Sequence, residues 1–304
     1  MNNIFFLKPY LNHKVWGGTH LKQFNIALNG AKDIGEAWII SGYPEKSSII
    51  TNGKFKNKTL EEVFIKHKKL FDNYEYDKYP LLVKLLDCND DLSVQVHPGD
   101  KYALKHYDEL GKNECWYVLK TKKNASIVYG HNVKTKKQLE EFIKNKNWKK
   151  LLRIKKIKEH DVIFIPAGCV HAINSGVVLY EIQQSSDLTF RVYDYDRNIK
   201  SRPLHIKESL KSITVPFKEP KLKNNKNILI ENKYFHLIRI QNKSHKKYEF
   251  KNARWIQATV IDGKGKLDNK YNLIKGASFI LTSEVKQFTL DGNLTLLISV
   301  ICKQ

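Results

Sequence analysis

Four side chains in this sequence are of types that bind a divalent cation: the amide of Gln95, the imidazoles of His97 and His171, and the carboxylate of Glu114. Two imidazoles and a carboxylate, with an amide oxygen as a fourth donor, suit zinc or another divalent first-row metal and leave positions for water or a substrate. Residues 92–97 alternate strictly. As a strand they turn Ser93, Gln95 and His97 to one face and Leu92, Val94 and Val96 to the other. His171 follows a hydrophobic run, Val162 to Ile165, and the tight turn Pro166-Ala167-Gly168. Only Gln95 and His97 are neighbours in the chain. Glu114 and His171 must be carried in by the fold, as antiparallel strands of one barrel would do. One histidine packed in a strand and one in a turn account for the same residues equally well.

Polar chemistry gathers at two further points. The apolar run 177–182 gives way to Gln183, Gln184, Ser185, Ser186, Asp187, Thr189 and Arg191, a set dense enough to line a site. Lys84 stands inside the apolar run 80–86, where an ammonium is costly unless it is paired or faces a polar cavity. Trp16, beside Gly17 and Gly18, could floor a pocket or plug the end of a barrel.

The elements that must position these groups are mostly short strands, read at 36–41, 80–86, 92–98, 114–119, 162–165 and 177–182. Residues 57–67 read as a helix, with Leu60, Val63 and Phe64 on one stripe and a capping box from Thr59 to Glu62. Residues 135–152 read as a second, amphipathic through Leu139, Phe142, Ile143 and Leu151, with a basic outer face. After a lysine-rich linker at 218–226, the chain from 234 onward is short strands and turns, an antiparallel barrel or sandwich of about 80 residues. No chemical cluster stands out there. This divides the chain into a metal-binding part, 1–217, with helical insertions at about 55–72 and 135–152, and a C-terminal β part, 218–304.

Among the 304 residues, 53 Lys and Arg against 31 Asp and Glu give a net charge of +22. Such an excess raises nucleic acid, anionic membrane or anionic metabolite as partners. Most of it is lysine, accompanied by many Asn and Ile, a bias that AT-rich coding produces without functional demand. The N-terminal run Ile4 to Leu7 is short and lacks a basic flank, so it fails as a secretory signal, and no apolar run approaches the roughly 18 residues of a membrane span. Cys88, Cys115, Cys169 and Cys302 show no CxxC spacing and are expected as free thiols. The expectation is a cytoplasmic protein.

The phrases QVHPGD (95–100), GKNECWYVL (111–119), IPAGCVHAI (165–173) and EIQQSSDLTFRVYDYDR (181–197) resemble the signature blocks of type I mannose-6-phosphate isomerases in their shorter bacterial form. KPYLNHKVWGG (8–18), YPLLVKLLD (79–87) and the C-terminal strands extend the resemblance over essentially the whole chain. PAGCVHAIN also resembles the second metal-binding motif of cupin barrels, the first being split here between His97 and Glu114.

The resemblance implies a mainly β fold of two cupin-type (jelly-roll) barrels with a few helices inserted in the N-terminal catalytic part. It implies a metal-dependent aldose–ketose isomerase interconverting mannose 6-phosphate and fructose 6-phosphate through a cis-enediol. One divalent metal per subunit, Zn2+, would be held by Gln95, His97, Glu114 and His171. Arg191 matches the family's catalytic arginine, and Lys84 and Lys112 match lysines of its pocket. Lys112 is counted as catalytic, and Lys84, Trp16 and Ser93 as substrate-binding. Asn113 and Cys169 depart from the proline and threonine of some relatives, and neither is a metal ligand in this reading. The expected partner is a small phosphosugar, with no specific nucleic acid, no membrane and the oligomeric partner left open. Two alternatives stand beside it: an iron-dependent cupin oxygenase, and a non-catalytic sugar-phosphate-binding protein.

Overall fold

The computed structural model describes residues 3–197, 199–222 and 227–302, and of Cys302 only the backbone. Residues 223–226 of the linker read from sequence therefore lie outside the described residues, as does the Cys302 side chain. The chain forms two compact units. One comprises 1–13, 19–85 and 222–304, the other 14–18 and 86–221.

The second unit carries the four candidate ligands. In it, Glu114–Thr121 runs between Val162–Ile165 and Val177–Gln184, all antiparallel. A further sheet has the order Phe190–Tyr193, Val94–Val96, His171–Ile173, Ser126–His131, Leu152–Lys156. Trp116, Val118 and Leu179 from the first set join Ile127, Tyr129 and Ile173 from the second in one buried cluster, so the two sets pack face to face. The alternation of residues 94–97 explains the other side. Val94 and Val96, with Val128, Ala172, Phe190 and Val192, turn away from that cluster and pack with Leu139, Ile143 and Leu151 of two covering helices.

Those helices are Lys136–Lys144 and Trp148–Leu151, where the sequence periodicity predicts a single helix over 135–152. The break falls at Lys146, whose φ of 51° is left-handed and cannot continue an α-helix. Asn147 N still donates back to Phe142 O, so the apolar stripe keeps its direction across the break.

In the first unit the sheet order is Ile228–Glu231, His236–Asn242, Gln287–Cys302, Ala253–Leu267, Ser278–Leu281, Ile4–Lys8, Ile49–Ile50. The short C-terminal strands read from sequence are partly one long pair, because Ala253–Leu267 and Gln287–Cys302 stay paired through two register shifts, between Ala253 and Ile256 and between Val260 and Asp262. At Gly263 a Cβ would come within 2.2 Å of Asn293 O, so glycine there permits close approach of two strands and does not end one. The run Ile4 to Leu7 is a strand paired with Ser278–Leu281. Nothing local announces that pairing. Helix Leu60–Lys66 begins as its capping box predicts, with the Thr59 hydroxyl accepting from Glu62 N.

The protein is mainly β with few helices. Among the described residues no sheet closes on itself, so the expected pair of closed barrels is not found.

Candidate metal centre

The site begins with a row across one sheet. His171 stands directly opposite Gln95 on one side and Tyr129 on the other, and Arg191 stands opposite Gln95 from the far strand. Residues opposed in a ladder turn their side chains to the same face. In the facing set, Glu114 stands between Ile165 and Gln183. The two rows meet, and one donor atom each from His97, Glu114 and His171 lies within 4.8 Å of the others. All three side chains are buried.

The turn before His171 is tied to the strand carrying His97. Gly168 N donates to His97 O at 2.9 Å, and Thr214 N donates to Gly168 O at 3.0 Å. Gly168 has φ +87° and a Cβ there would lie 2.3 Å from Thr214 Oγ1, so both conformation and space require glycine.

Each imidazole spends one nitrogen on the backbone. His97 Nδ1 donates to Leu188 O at 2.8 Å and His171 Nδ1 to Cys169 O at 2.9 Å. That fixes the neutral tautomer whose Nε2 offers a lone pair. His97 Nε2 is 3.2 Å from Glu114 Oε1, His171 Nε2 is 3.7 Å from Glu114 Oε2, and Gln95 Nε2 is 3.3 Å from His171 Nε2. Burial, with Lys112 adding to it, pushes His97 down to about 3, and burial likewise lowers His171. Burial acts to raise Glu114, but the Lys112 ammonium beside it acts in the opposite sense, and the carboxyl lies well below its usual range. Two imidazole lone pairs thus face a carboxylate. His97 Nε2 and Glu114 Oε2 are buried with no hydrogen-bond partner among the described residues. Electron pairs crowded together without donors are what a cation relieves, and this N,N,O set fits a divalent metal ion.

Of the other residues named from sequence, Lys112 is buried with its ammonium 3.3 Å from Glu114 Oε1. Arg191 is half-buried; His205 Nδ1 accepts from its backbone nitrogen, and its Nη1 donates to Pro203 O at 3.3 Å. Ser93 is buried and accepts from Arg202, whose guanidinium also grips Asp194 at 2.9 and 3.0 Å. Trp16 lies in the buried cluster with Trp116 and Leu86. Lys84 belongs to the other compact unit, buried, with its Nζ 5.1 Å from the Trp38 ring centre.

Sequence reasoning missed Asn113. Its amide nitrogen donates to Gln184 Oε1 at 2.7 Å, and its oxygen accepts from Ala167 N at 3.0 Å. It therefore ties the Glu114 strand to the turn that delivers His171. Both partners are more than fifty residues away in the chain, so no local pattern marks it. Trp116, which alternation places on the Glu114 side, packs edge-on to His171 with ring centres 5.5 Å apart.

Residues 4–124 match the model of the phosphomannose isomerase type I catalytic domain, and residues 225–301 that of the mannose-6-phosphate isomerase cupin domain. The chain is 38% identical over 309 residues to the mannose-6-phosphate isomerase ManA of Bacillus subtilis, covering 97% of this chain and 98% of that one. It is 36% identical over 308 residues to the mannose-6-phosphate isomerase of Streptococcus mutans, covering 97% of each. A crystal structure of the mannose 6-phosphate isomerase from Bacillus subtilis aligns at a TM-score of 0.91 and 37% identity, covering 97% of this chain and 99% of that one. This chain belongs to the type I phosphomannose isomerase family.

Proposed function

We propose that the protein interconverts mannose 6-phosphate and fructose 6-phosphate at one divalent metal ion, Zn2+, held by Gln95, His97, Glu114 and His171. The observation that carries this reading is the convergence of three buried donors, two of them oriented imidazoles, in a chain of this family. When bound, the metal would supply Lewis-acid polarisation of the carbonyl and a template for the sugar oxygens. The rest falls to side chains.

Moving the carbonyl from C1 to C2 requires one proton to pass from C2 to C1 and another from the C2 hydroxyl to the C1 oxygen, through a cis-enediol, and negative charge builds on oxygen in between. Arg191, a planar cation that stays charged, is suited to that oxygen or to the phosphate. Lys112 is the amine we assign to acid–base work, held by Glu114 and shielded from water. His97 and His171, kept neutral by burial, retain the lone pairs that binding needs. Lys84, Trp16 and Ser93 are assigned to substrate contacts.

The face-to-face strand sets of the second unit support a jelly-roll reading of the catalytic part, and the match of residues 225–301 supports a second, cupin-type domain. A division at 217/218 is supported by the start of the matched cupin domain at residue 225. A cytoplasmic location is supported by the buried thiols of Cys115 and Cys169, which form no disulfide. No helix among the described residues is long and apolar enough to cross a membrane. The partner is a small phosphosugar, with neither specific nucleic acid nor membrane in the reading.

The deciding experiment is isomerisation of mannose 6-phosphate to fructose 6-phosphate by purified protein, before and after chelation, with metal added back. Activity lost to chelator and restored by Zn2+ is expected. Undiminished turnover in fully metal-stripped protein would refute the metal's role, and absence of turnover with any divalent ion would refute the reaction.

A further inference from the structure

Gln183 lies on the buried strand Val177–Gln184, directly opposite Glu114. It therefore shares the face on which Glu114 meets His97 and His171. The side chain is 0% exposed. Its amide nitrogen donates to Gln184 O at 2.8 Å and to Ser186 O at 2.7 Å, and two carbonyl acceptors settle which end of the amide carries the hydrogens. The Oε1 at the other end is buried with no hydrogen-bond partner among the described residues. A hydrocarbon side chain would fill the same volume without burying an unsatisfied acceptor. An amide with both donors spent and its acceptor left over is fitted to receive one hydroxyl.

We propose that Gln183 is a substrate-binding residue whose Oε1 accepts a hydrogen bond from a sugar hydroxyl that does not react, at C3 or C4. The proposal rests on the isomerase reading above. A polyol entering a dry site must exchange water for protein acceptors, and Glu114 is committed to the cation. A second carboxylate would repel the oxygen charge that builds at C1 and C2. A neutral amide oxygen accepts the hydroxyl without adding a full charge, and its attachment to Ser186 O holds it still.

Gln183 also has a bracing route to the metal centre. Ser186 Oγ accepts from Leu188 N at 3.3 Å, and Leu188 O accepts from His97. A purely bracing role would act through His97 and appear as lost metal. Substrate binding would instead appear as coupling to one hydroxyl.

The test is a double-mutant cycle. Wild type and Gln183→Met are assayed for kcat/KM with mannose 6-phosphate and with its 3-deoxy and 4-deoxy analogues, alongside metal content per subunit. We expect Gln183→Met to retain its metal, and one deoxy analogue to be about tenfold poorer than the parent in wild type but equal to it in the variant. Equal losses in both proteins for both analogues would overturn the proposal, as would a variant defect accounted for by missing metal. The wild-type profile decides even where Gln183→Met does not fold, because two analogues as good as the parent leave no hydroxyl contact to explain. Wild type inactive on mannose 6-phosphate would refute the isomerase reading itself, and this inference with it.

Discussion

Gln95 and His171 stand directly opposite each other in an antiparallel ladder, and the Gln95 amide nitrogen lies 3.3 Å from His171 Nε2. Because His171 Nδ1 already donates to Cys169 O, its Nε2 is the acceptor and the glutamine NH2 the donor. Without a cation the pair is satisfied as a hydrogen bond. For Gln95 to serve as fourth ligand, the amide must turn to present Oε1, a rotation that exchanges two ends of nearly the same size. The same two residues thus have a partner in either state, while His97 Nε2 and Glu114 Oε2 have one only when a cation is present.

The three-residue core of the site predicts how metal is lost. His97→Ala and His171→Ala are each expected to reduce bound metal and turnover together, with metal affinity down by at least about 100-fold, since second-sphere changes alone cost 10–100-fold. Elemental analysis of dialysed protein, paired with activity, checks this. A variant with full metal and no turnover would move that histidine from ligand to catalyst.

Arg191 separates binding of metal from chemistry. Among the described residues its guanidinium makes no hydrogen bond to His97, Glu114 or His171, while its backbone is fixed by His205. Arg191→Ala should keep its metal and its melting temperature and lose about 100- to 1,000-fold in kcat, the range for removing one donor to a developing oxyanion. Full turnover with a raised KM would confine Arg191 to phosphate binding.

The lowered imidazoles make the metal-free protein sensitive to acid. His97, at about 3, and His171, also lowered, bind fewer protons folded than unfolded, where the ordinary value is 6.5. Stability from keeping them neutral is full above about pH 6.5 and is lost as the pH falls through the interval toward the folded value, each group contributing up to about 1.4 kcal/mol per pH unit. Melting temperatures of chelated protein should therefore drop between pH 7 and 5. The loaded protein should resist until protons displace the metal. A flat profile for the chelated form would show that the histidines are not held neutral.

The N-terminal strand should matter to folding. Phe5 is 1% exposed, pairs in register with Ile280, and meets Phe55 edge-on with ring centres 5.6 Å apart. Phe5→Ala should cost about 3–5 kcal/mol, read as a lower denaturant midpoint with an unchanged slope. A loss under about 1 kcal/mol would mean that this strand adds little.

Some of this was legible without coordinates, and the reason is local. Alternation put Gln95 and His97 on one face, and in the fold Val94 and Val96 do pack on the other, but Leu92, expected beside them, packs in the opposite cluster with Trp16 and Trp116 because the strand begins only at Val94. Thr59 and Glu62 marked a helix start because a capping box closes within one turn. Lys84 stood out as a charge in a buried strand, and it is buried. Periodicity predicts one continuous helix over 135–152 where there are two, because it records the direction of an apolar stripe, which survives the left-handed break at Lys146.

What the sequence by itself determined was the inventory of donors, the faces they occupy on their own strands, and the family to which the chain belongs. Tertiary structure decided which of them meet. Ladder register placed Gln95 against His171 and Glu114 against Gln183. Backbone carbonyls at Leu188 and Cys169 chose the tautomers, and burial set the charges. Only there do Asn113 as a tie and Gln183 as an unspent acceptor become visible. Each depends on partners distant in the chain, and contacts across such separations leave no period in the sequence to read.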